Sequence, residues 1–375
     1  MREYALVCCI AAAVTFLLTP VVRVVARRWG AVARPRDRDV HAIPTPRLGG
    51  VAMFGGMAVA LLVAHLMPTL RRTYDTGSET TALLVAGGII CLLGVVDDRW
   101  ELDSLTKLAG QVFAAGVMVL LGVQLLVLYV PFGNIGTLSF ARNDSVGLTV
   151  VICLLTINAI NFIDGLDGLA AGVSAISALA FFAYSYHLAR QGYGDVAFAP
   201  SLLTAVLAGA CLGFLPHNFF PARVFMGDSG ALLIGLMLAA STISLTGQMD
   251  PNAVPYEVGG SSLLPALLPL ILPIAVLAIP ALDLTMAYVR RTKAGRSPFA
   301  ADKLHLHHRL MQRGHSHRRA VLLMYLWTAL IAYGVVVLGL VLFWWTALIV
   351  LAVAVTAVLL TTGLPRRSRK PLAKV

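Results

Sequence analysis

The sequence contains few charged residues. Asp, Glu, Lys and Arg make up only 13% of its 375 residues, against about a quarter in soluble globular domains. Hydrophobic residues account for 58%, and many of them occur in runs of the roughly 20 residues that a membrane-spanning helix requires. This shortage of charge excludes a soluble globular protein and indicates a polytopic membrane protein.

Cysteine is scarce as well, and no two cysteines have CxxC spacing. The five cysteines lie inside apolar runs, which excludes a disulfide framework and a zinc site of the usual spacing. The net charge of +11 would suit nucleic acid, but the basic residues stand at the ends of apolar segments, as in membrane proteins. We therefore expect the lipid bilayer as a partner and no nucleic acid.

Hydropathy predicts an all-α fold with about eleven transmembrane helices in a single domain, residues 1–375. The predicted spans are residues 4–25, 48–67, 81–97, 107–125, 146–162, 169–189, 198–216, 230–247, 262–282, 320–340 and 343–363. The first run ends in arginines rather than at a small-residue cleavage site, so it is expected to stay in the membrane. A basic loop, 283–319, follows the ninth span, and a short basic tail, 364–375, follows the last.

The basic residues are distributed unevenly between the two sides of the predicted bundle. With alternating spans, one side holds only five of the 29 Lys and Arg residues, namely Arg2, Arg71, Arg72, Arg142 and Arg190. Because loops rich in Lys and Arg stay in the cytoplasm, the N-terminus is predicted outside and the C-terminus in the cytoplasm. The acidic motifs fall on the cytoplasmic side, although the orientation rests on basic residues alone.

One acidic motif follows the third span. Asp97 and Asp98 are adjacent, and neighbouring carboxylates repel one another unless a cation or a shared proton relieves them. Mg²⁺ is the natural cation, because it takes oxygen ligands and usually carries substrate phosphates. Glu101 and Asp103 come next, and for them a surface position at a helix end and a place in the site are both open.

A second motif, NAINFIDGLDGLAAG, places two further aspartates between the fifth and sixth spans. Asn158, Asn161, Asp164 and Asp167 form a polar group beside the bilayer. Ionisable side chains so close to hydrocarbon are costly and usually functional. The motif therefore predicts more than a turn between two helices.

A third motif, GDSG at residues 227–230, resembles the serine motif of chymotrypsin-like proteases. An apolar helix follows it directly, and no cystine framework or β-rich sequence surrounds it, which excludes a protease. What remains is Asp228 at the start of a helix, where backbone N–H groups help to bind anions.

Three histidines stand close together in the predicted basic loop. His305, His307 and His308 belong to HLHH, but no cysteine or carboxylate is spaced to complete a tetrahedral zinc site. Contacts to phosphate fit this basic segment better, whereas His315 and His317 are expected to be solvated. Aspartates and a cationic loop on one face suit a diphosphate substrate with Mg²⁺ that reacts with a group held in the bilayer.

Five motifs together resemble a known family, the polyprenyl-phosphate N-acetylhexosamine-1-phosphate transferases. They occur in the family's order and cover essentially the whole membrane region: DRDVHAIPTPRLGG, GVVDDRWEL, NAINFIDGLDGLAAG, GFLPHNFFPARVFMGDSGA and DKLHLHHRL. The likeness is greatest to bacterial enzymes that move GlcNAc-1-phosphate from UDP-GlcNAc onto undecaprenyl or decaprenyl phosphate. Sister enzymes that transfer phospho-MurNAc-pentapeptide carry three adjacent histidines, so HLHHRL and PRLGG favour the GlcNAc branch.

The resemblance implies a role for each matching residue. Asp97 and Asp98 match the acidic pair, one of which deprotonates the lipid phosphate, and Asp164 and Asp167 are the other expected catalytic residues. The expected Mg²⁺ ligands, with Mn²⁺ as a substitute, are Asp97, Asp167 and Asp228. The expected substrate-binding residues are His41, Arg47, Asn158, Asn161, His305, His307, His308 and Arg309.

The resemblance also implies the reaction and its place. The expected products are polyprenyl-diphosphate-GlcNAc and UMP, made at the bacterial inner membrane as the first membrane step of a cell-envelope polysaccharide, and family members can form homodimers. Direct attack by the lipid phosphate and an intermediate on Asp98 are both open. Open alternatives are phospho-MurNAc-pentapeptide or another UDP-N-acetylhexosamine as donor. An ion-coupled transporter is disfavoured, because the acidic residues gather at one face rather than near mid-bilayer.

Overall fold

The computed structural model describes residues 1–33, 44–76, 78–130, 136–192, 194–247, 271–293, 295, 310–312, 314–340 and 344–362. Its helices are α1 Arg2–Trp29, α2 Gly49–Ala64, α3 Arg72–Thr76, α4 Glu79–Trp100, α5 Ser104–Leu120, α6 Arg142–Ile163, α7 Leu169–Arg190, α8 Gly194–Asn218, α9 Gly227–Thr246, α10 Ala278–Lys293, α11 His317–Leu340 and α12 Trp344–Thr362. Two antiparallel hairpins, β1 Val32–Ala33 with β2 Thr45–Pro46 and β3 Val127–Val130 with β4 Gly136–Ser139, are small additions to a helical fold.

The predicted all-α, polytopic character is confirmed. Within the described residues, seven helices are long and apolar enough to cross a membrane: α1, α4, α6, α7, α8, α9 and α11. Each corresponds to one predicted span. The number of eleven spans stays a prediction, because α2, α5 and the apolar part of α12 are shorter than that.

Two predicted segments differ from the structure in extent. The span predicted at 48–67 is a helix of only 16 residues that ends at Ala64. The basic loop predicted at 283–319 starts as helix, because α10 continues to Lys293. The basic residues near the end of α10 led to the prediction of a loop. Arg and Lys are, however, good helix formers, and they also occur where helices leave a membrane.

Helix α9 lies at the centre of the bundle. It packs against α2, α4, α6 and α8, and nearly all of its residues are buried. After Asp228, its sequence has no charged residue on any face. A helix that is apolar all round is stable only when other helices surround it, so the sequence of α9 explains its central position.

The chain direction brings a defined set of helix ends together. The end of α4 meets the start of α9, where Asp98 accepts hydrogen bonds from the backbone of Asp228 and Ser229. Helices α6 and α8 end at the same face, and α5, α7 and α11 begin there. At the opposite face, Glu3 near the start of α1 accepts hydrogen bonds from the backbone of Thr69 and Leu70. The acidic motifs therefore converge on one end of the bundle.

The crossing of α4 and α9 depends on a glycine. A Cβ atom added at Gly94 would lie 2.3 Å from the Cα of Ser229, which is backbone and has little room to move. In α5, by contrast, a Cβ added at Gly116 would meet no atom within 4 Å. The two glycines thus form a matched pair, one at a tight helix contact and one in open space.

We predict opposite effects for Gly94→Ala and Gly116→Ala. Overpacking by the first should destabilise the fold by about 1–3 kcal/mol. The second should be neutral or stabilising by up to about 1 kcal/mol, because alanine loses less backbone entropy in a helix. Thermal unfolding of the purified variants in detergent measures both. Equal melting temperatures for the two variants would contradict the close crossing.

Candidate functional site

The candidate site lies where α4 ends and α9 begins. Asp97 and Asp98 occupy the last turn of α4 and are both buried. Asp228 occupies the first turn of α9. Apolar helices carry these carboxylates to one end of the bundle, and the hydrogen bonds described below hold each in place.

Asp98 caps the N-terminus of α9. One of its oxygens accepts a hydrogen bond from the backbone N–H of Asp228 at 2.9 Å, and the other from Ser229 at 3.1 Å. The first N–H groups of a helix have no partner within the helix, so a carboxylate there is favourable. Gly227 has a φ of +70°, and a Cβ at this position would collide with the Asp98 carboxylate. Both oxygens of Asp98 are thereby engaged with backbone.

Lys107, at the end of the first turn of α5, connects the other two carboxylates. Its ammonium lies 2.8 Å from one oxygen of Asp97 and also pairs with Asp228. The second oxygen of Asp97 accepts the backbone N–H of Leu102 at 2.7 Å. Lys107 therefore holds the side chains of two helices in one charged group.

Lys107 was not among the site residues predicted from the sequence. The sequence did hold a signal, because a lysine near the start of an apolar helix opposes the helix dipole. Such a lysine requires acidic partners, and the sequence offered several on the same face. Which of them it meets is a matter of tertiary structure.

The asparagines of the second motif have different partners. The amide of Asn161 donates to the remaining oxygen of Asp228, which places Asn161 in the site. The amide of Asn158 donates to Gln111 of α5 at 2.8 Å and to the Leu154 carbonyl of its own helix. In the structure, Asn158 thus joins α5 to α6, and its contact with substrate stays a prediction.

The DGLDG turn is held on two sides by other elements. Asp167 is buried and accepts the backbone N–H of Ala222, from the α8–α9 loop, at 2.9 Å. The N–H of Gly168 donates to the side chain of Asn218 at 2.9 Å, and the hydroxyl of Tyr325 in α11 donates to the Gly168 carbonyl. Asn218 and Tyr325 are positioning residues that the sequence analysis did not identify.

Asp164 lies in the same turn, among the other carboxylates. Burial raises its pKa to about 8, and the negative charges of Asp228, Asp98 and Asp167 act in the same direction. The positive charge of Arg47 opposes this shift. Asp164, which is half-buried, thus lies among several negative charges, and Arg47 is a cation near enough to act on it.

Arg47 reaches the site because its segment pairs with the chain before α9. The N–H of Phe225 donates to the Pro46 carbonyl, and the N–H groups of Gly49 and Gly50 donate to Phe225 and Met226 at 3.1 and 3.0 Å. One short stretch of backbone hydrogen bonds thus holds the PRLGG motif against the residues just before GDSG.

Five of the predicted substrate-binding residues lie outside the described residues, and two further histidines lie where the sequence did not predict them. His41, His305, His307, His308 and Arg309 are outside the described residues. The prediction that His315 and His317 are solvated is wrong, because both side chains are buried. His317 stacks on Phe220 of the α8–α9 loop, and the His315 ring lies 3.3 Å from the Thr361 carbonyl of α12.

The sequence left two positions open for Asp103, at a helix end or in the site, and the structure shows the helix end. Its carboxylate accepts hydrogen bonds from the N–H groups of Leu105 and Thr106 and from the Thr106 hydroxyl, which makes it the N-cap of α5. These bonds lower the pKa of Asp103, the bond from the Thr106 hydroxyl contributing most. Asp103 starts the helix that carries Lys107 and is not itself among the clustered carboxylates.

The carboxylate oxygens at this site suit a Mg²⁺ ion whose remaining coordination positions are filled by substrate. Among the residues that the structure describes, no three His, Cys, Asp or Glu side chains are grouped so that they could hold a metal by themselves. Mg²⁺ commonly takes only one or two protein carboxylates and fills its octahedron with substrate phosphates and water. Asp97, Asp164 and Asp228 offer hard oxygen atoms, and Lys107 and Arg47 supply two positive charges for five aspartates.

Known proteins resemble this chain over most of its length. A profile of glycosyl transferase family 4 matches residues 80–246, the range from α4 to α9 that carries Lys107 and the five aspartates. A decaprenyl-phosphate N-acetylglucosaminephosphotransferase of Mycolicibacterium smegmatis is 50% identical over 335 residues, covering 89% of this chain and 82% of that protein.

Two further relatives are more distant. A probable undecaprenyl-phosphate N-acetylglucosaminyl 1-phosphate transferase of Bacillus subtilis is 34% identical over 86% of this chain and 81% of its own length. A phospho-N-acetylmuramoyl-pentapeptide-transferase of Desulforudis audaxviator is 32% identical over 84% of this chain and 92% of its own length. With half of its residues identical across nearly nine-tenths of its length to a curated relative, and with the clustered carboxylates inside the matching range, the chain belongs to glycosyl transferase family 4.

Proposed function

We propose that the protein transfers GlcNAc-1-phosphate from UDP-GlcNAc to a polyprenyl phosphate and releases UMP. The observation that carries this proposal is the group of five aspartates around Lys107 at one end of a membrane bundle. Relatives named for this transfer, with decaprenyl or undecaprenyl phosphate as acceptor, match most of the chain. A decaprenyl acceptor has the greater support, since the mycobacterial relative is 50% identical and the Bacillus relative 34%.

The site is proposed to face the cytoplasm, where nucleotide sugars occur. Basic residues are concentrated at the site's end of the bundle, including Arg27 and Arg28 in the last turn of α1 and Arg99 in that of α4. The positive-inside rule assigns such an end to the cytoplasm. This supports the proposed orientation with the N-terminus outside; the eleven spans and the bacterial inner membrane are part of the same proposal.

Mg²⁺ would be held by Asp228 and Asp164, with Asp97 beside them. When bound, it supplies positive charge that stabilises the transferring phosphoryl group and the leaving phosphate. Asn161 and Lys107 fix the two oxygens of Asp228, which orients this carboxylate before substrate arrives. Asp167, which accepts the Ala222 N–H with one oxygen, stays a proposed ligand from the same turn.

The residues of the chain supply orientation, charge and a proton acceptor. An oxygen of the lipid phosphate forms a bond to the β-phosphorus of the donor, and the bond from this phosphorus to the bridging oxygen breaks, so that UMP leaves. Lys107 and Arg47 lower the electrostatic cost of bringing two anions together. Asp97, whose charge is shared with Lys107, accepts the proton of the lipid phosphate.

Direct attack is favoured over an intermediate on Asp98. A carboxylate that acts as nucleophile needs an oxygen directed at the phosphorus. Both oxygens of Asp98 accept hydrogen bonds from the start of α9, and freeing either one would uncap that helix. Asp98 therefore acts as a positioning residue for Asp228.

Donor specificity is the first prediction of the proposed function. The purified protein with decaprenyl or undecaprenyl phosphate and Mg²⁺ should release UMP from UDP-GlcNAc, and an Asp228→Asn variant should not, because it loses the charge that Lys107 pairs with. Parallel reactions contain UDP-MurNAc-pentapeptide or UDP-GalNAc. Release of UMP from one of these donors alone would overturn the assigned substrate.

Removal of the bridging ammonium is the second prediction. Lys107→Gln leaves Asp97 and Asp228 side by side without their cation, and turnover should fall by about 100-fold or more. Lys293→Gln is the matched control, since Lys293 is exposed at the end of α10. The measurement is UMP release at saturating substrate. Turnover of Lys107→Gln close to that of the control would refute the role of Lys107.

Absence of a covalent intermediate is the third prediction. Purified protein incubated with UDP-GlcNAc labelled in the sugar, without lipid acceptor, should carry no label after denaturation. The physical reason is that Asp98 has no oxygen directed at the donor. Label retained by the wild-type protein and lost in Asp98→Asn would establish the covalent route instead.

A further inference from the structure

Two tryptophans and an arginine form a compact group beside the site, at the ends of α1 and α4. The Nε–H of Arg99 donates to the Trp29 carbonyl at 2.9 Å. The guanidinium carbon of Arg99 lies 5.6 Å from the centre of the Trp100 ring, within cation–π range. The two indole rings meet edge to face, with centroids 5.5 Å apart. We call Trp29, Arg99 and Trp100 the Trp–Arg cluster.

The cluster lies on the other side of α4 from the carboxylates. Asp97 and Asp98 face α5 and α9 through Lys107 and the start of α9. Arg99, the next residue, faces the end of α1 instead. The proposed chemistry does not use the cluster, so the cluster requires another explanation.

Helix capping accounts for only part of this arrangement. Arg99 satisfies a carbonyl at the C-terminus of α1 with one of its five N–H donors. The two rings remain 41% and 58% exposed, although burying large aromatic rings would be favourable. A guanidinium held against one exposed indole, with a second indole packed on the first, is prepared for an anionic, amphipathic ligand.

The lipid bilayer offers anionic, amphipathic ligands at the level where α1 and α4 end. Tryptophan is enriched where the bilayer meets water, and both cluster tryptophans end spans that are long and apolar enough to cross it. Arg27 and Arg28, in the last turn of α1, are exposed next to Trp29. Anionic phospholipid headgroups are attracted to basic residues at such positions.

We propose that the Trp–Arg cluster binds the phosphate headgroup of an anionic phospholipid, in the leaflet that faces the catalytic end. The phosphodiester pairs with the remaining N–H groups of Arg99, and the indoles contact the glycerol region and the first acyl carbons. The occupant is a phospholipid rather than the polyprenyl phosphate acceptor. A phosphate on Arg99 lies across α4 from Lys107 and so cannot be the reacting group.

The bound lipid would act on the site through helix ends. Arg99 joins the last turn of α4 to the end of α1, and that same turn carries Asp97 and Asp98. A headgroup on Arg99 would restrain this turn without contacting the substrates. The inference concerns binding and does not depend on which sugar is transferred.

Tryptophan quenching in nanodiscs tests the proposal directly. The protein is placed in phosphatidylcholine nanodiscs with increasing amounts of phosphatidylglycerol brominated near the top of its acyl chains. Fluorescence of a Trp29→Phe, Trp100→Phe double variant gives the contribution of the other tryptophans. We expect half-maximal quenching at an about fivefold lower fraction of brominated phosphatidylglycerol than of brominated phosphatidylcholine, the preference that one arginine near the surface provides.

Arg99→Gln should lower this preference to what Arg27 and Arg28 provide, whereas Arg142→Gln, which removes an exposed arginine at the opposite end of the bundle, should leave it unchanged; an unchanged preference in Arg99→Gln would overturn the proposal. Equal quenching by the two brominated lipids in the wild-type protein would overturn the proposal. Displacement of brominated phosphatidylglycerol by stoichiometric undecaprenyl phosphate would overturn the assigned occupant. UMP release measured on the same nanodiscs separates these outcomes from a failure of the proposed transfer reaction, because quenching requires no turnover.

Discussion

The hydrogen bonds from the start of α9 to Asp98 are the constraint on which the rest of the site depends. They fix the central helix of the bundle to the last turn of α4. Asp228 follows directly from that contact and meets Lys107 and Asn161. This cap restricts the sequence at one position. Because the Asp98 carboxylate lies against the backbone, only glycine fits at position 227.

The α8–α9 loop and α11 support the site from the other side. The loop gives the N–H of Ala222 to Asp167, and α11 contacts both the loop and the DGLDG turn. Arg318 donates to the Phe220 carbonyl at 3.2 Å, and Tyr325 donates to Gly168. Helix α11 follows the histidine motif in the chain. It therefore connects a segment proposed to contact phosphates with a turn proposed to support the metal ligands.

Helix α4 presents different side chains on two faces, and each face suits a different kind of ligand. Its inner face presents carboxylates, a lysine and the start of a helix, which suit diphosphate and a divalent cation. Its outer face presents Arg99 beside the exposed indole of Trp100, which suits a lipid headgroup. Consecutive residues 98 and 99 point to different neighbours because side chains one position apart on a helix differ by about 100° in direction. One helical turn can thus serve both the substrate and the membrane.

The sequence by itself determined the membrane fold, seven of the predicted helical spans and the clustering of aspartates on one face, because hydropathy and charge are properties of local segments. It also placed Asp228 at a helix start, and the family motifs identified the chemistry. Only the tertiary structure decided which groups meet: Lys107 with Asp97 and Asp228, and Asn158 with Gln111. These are contacts between different helices, set by helix packing and close glycine crossings that no single segment encodes. For the same reason, His317 is buried against the α8–α9 loop although its basic neighbours predict solvent.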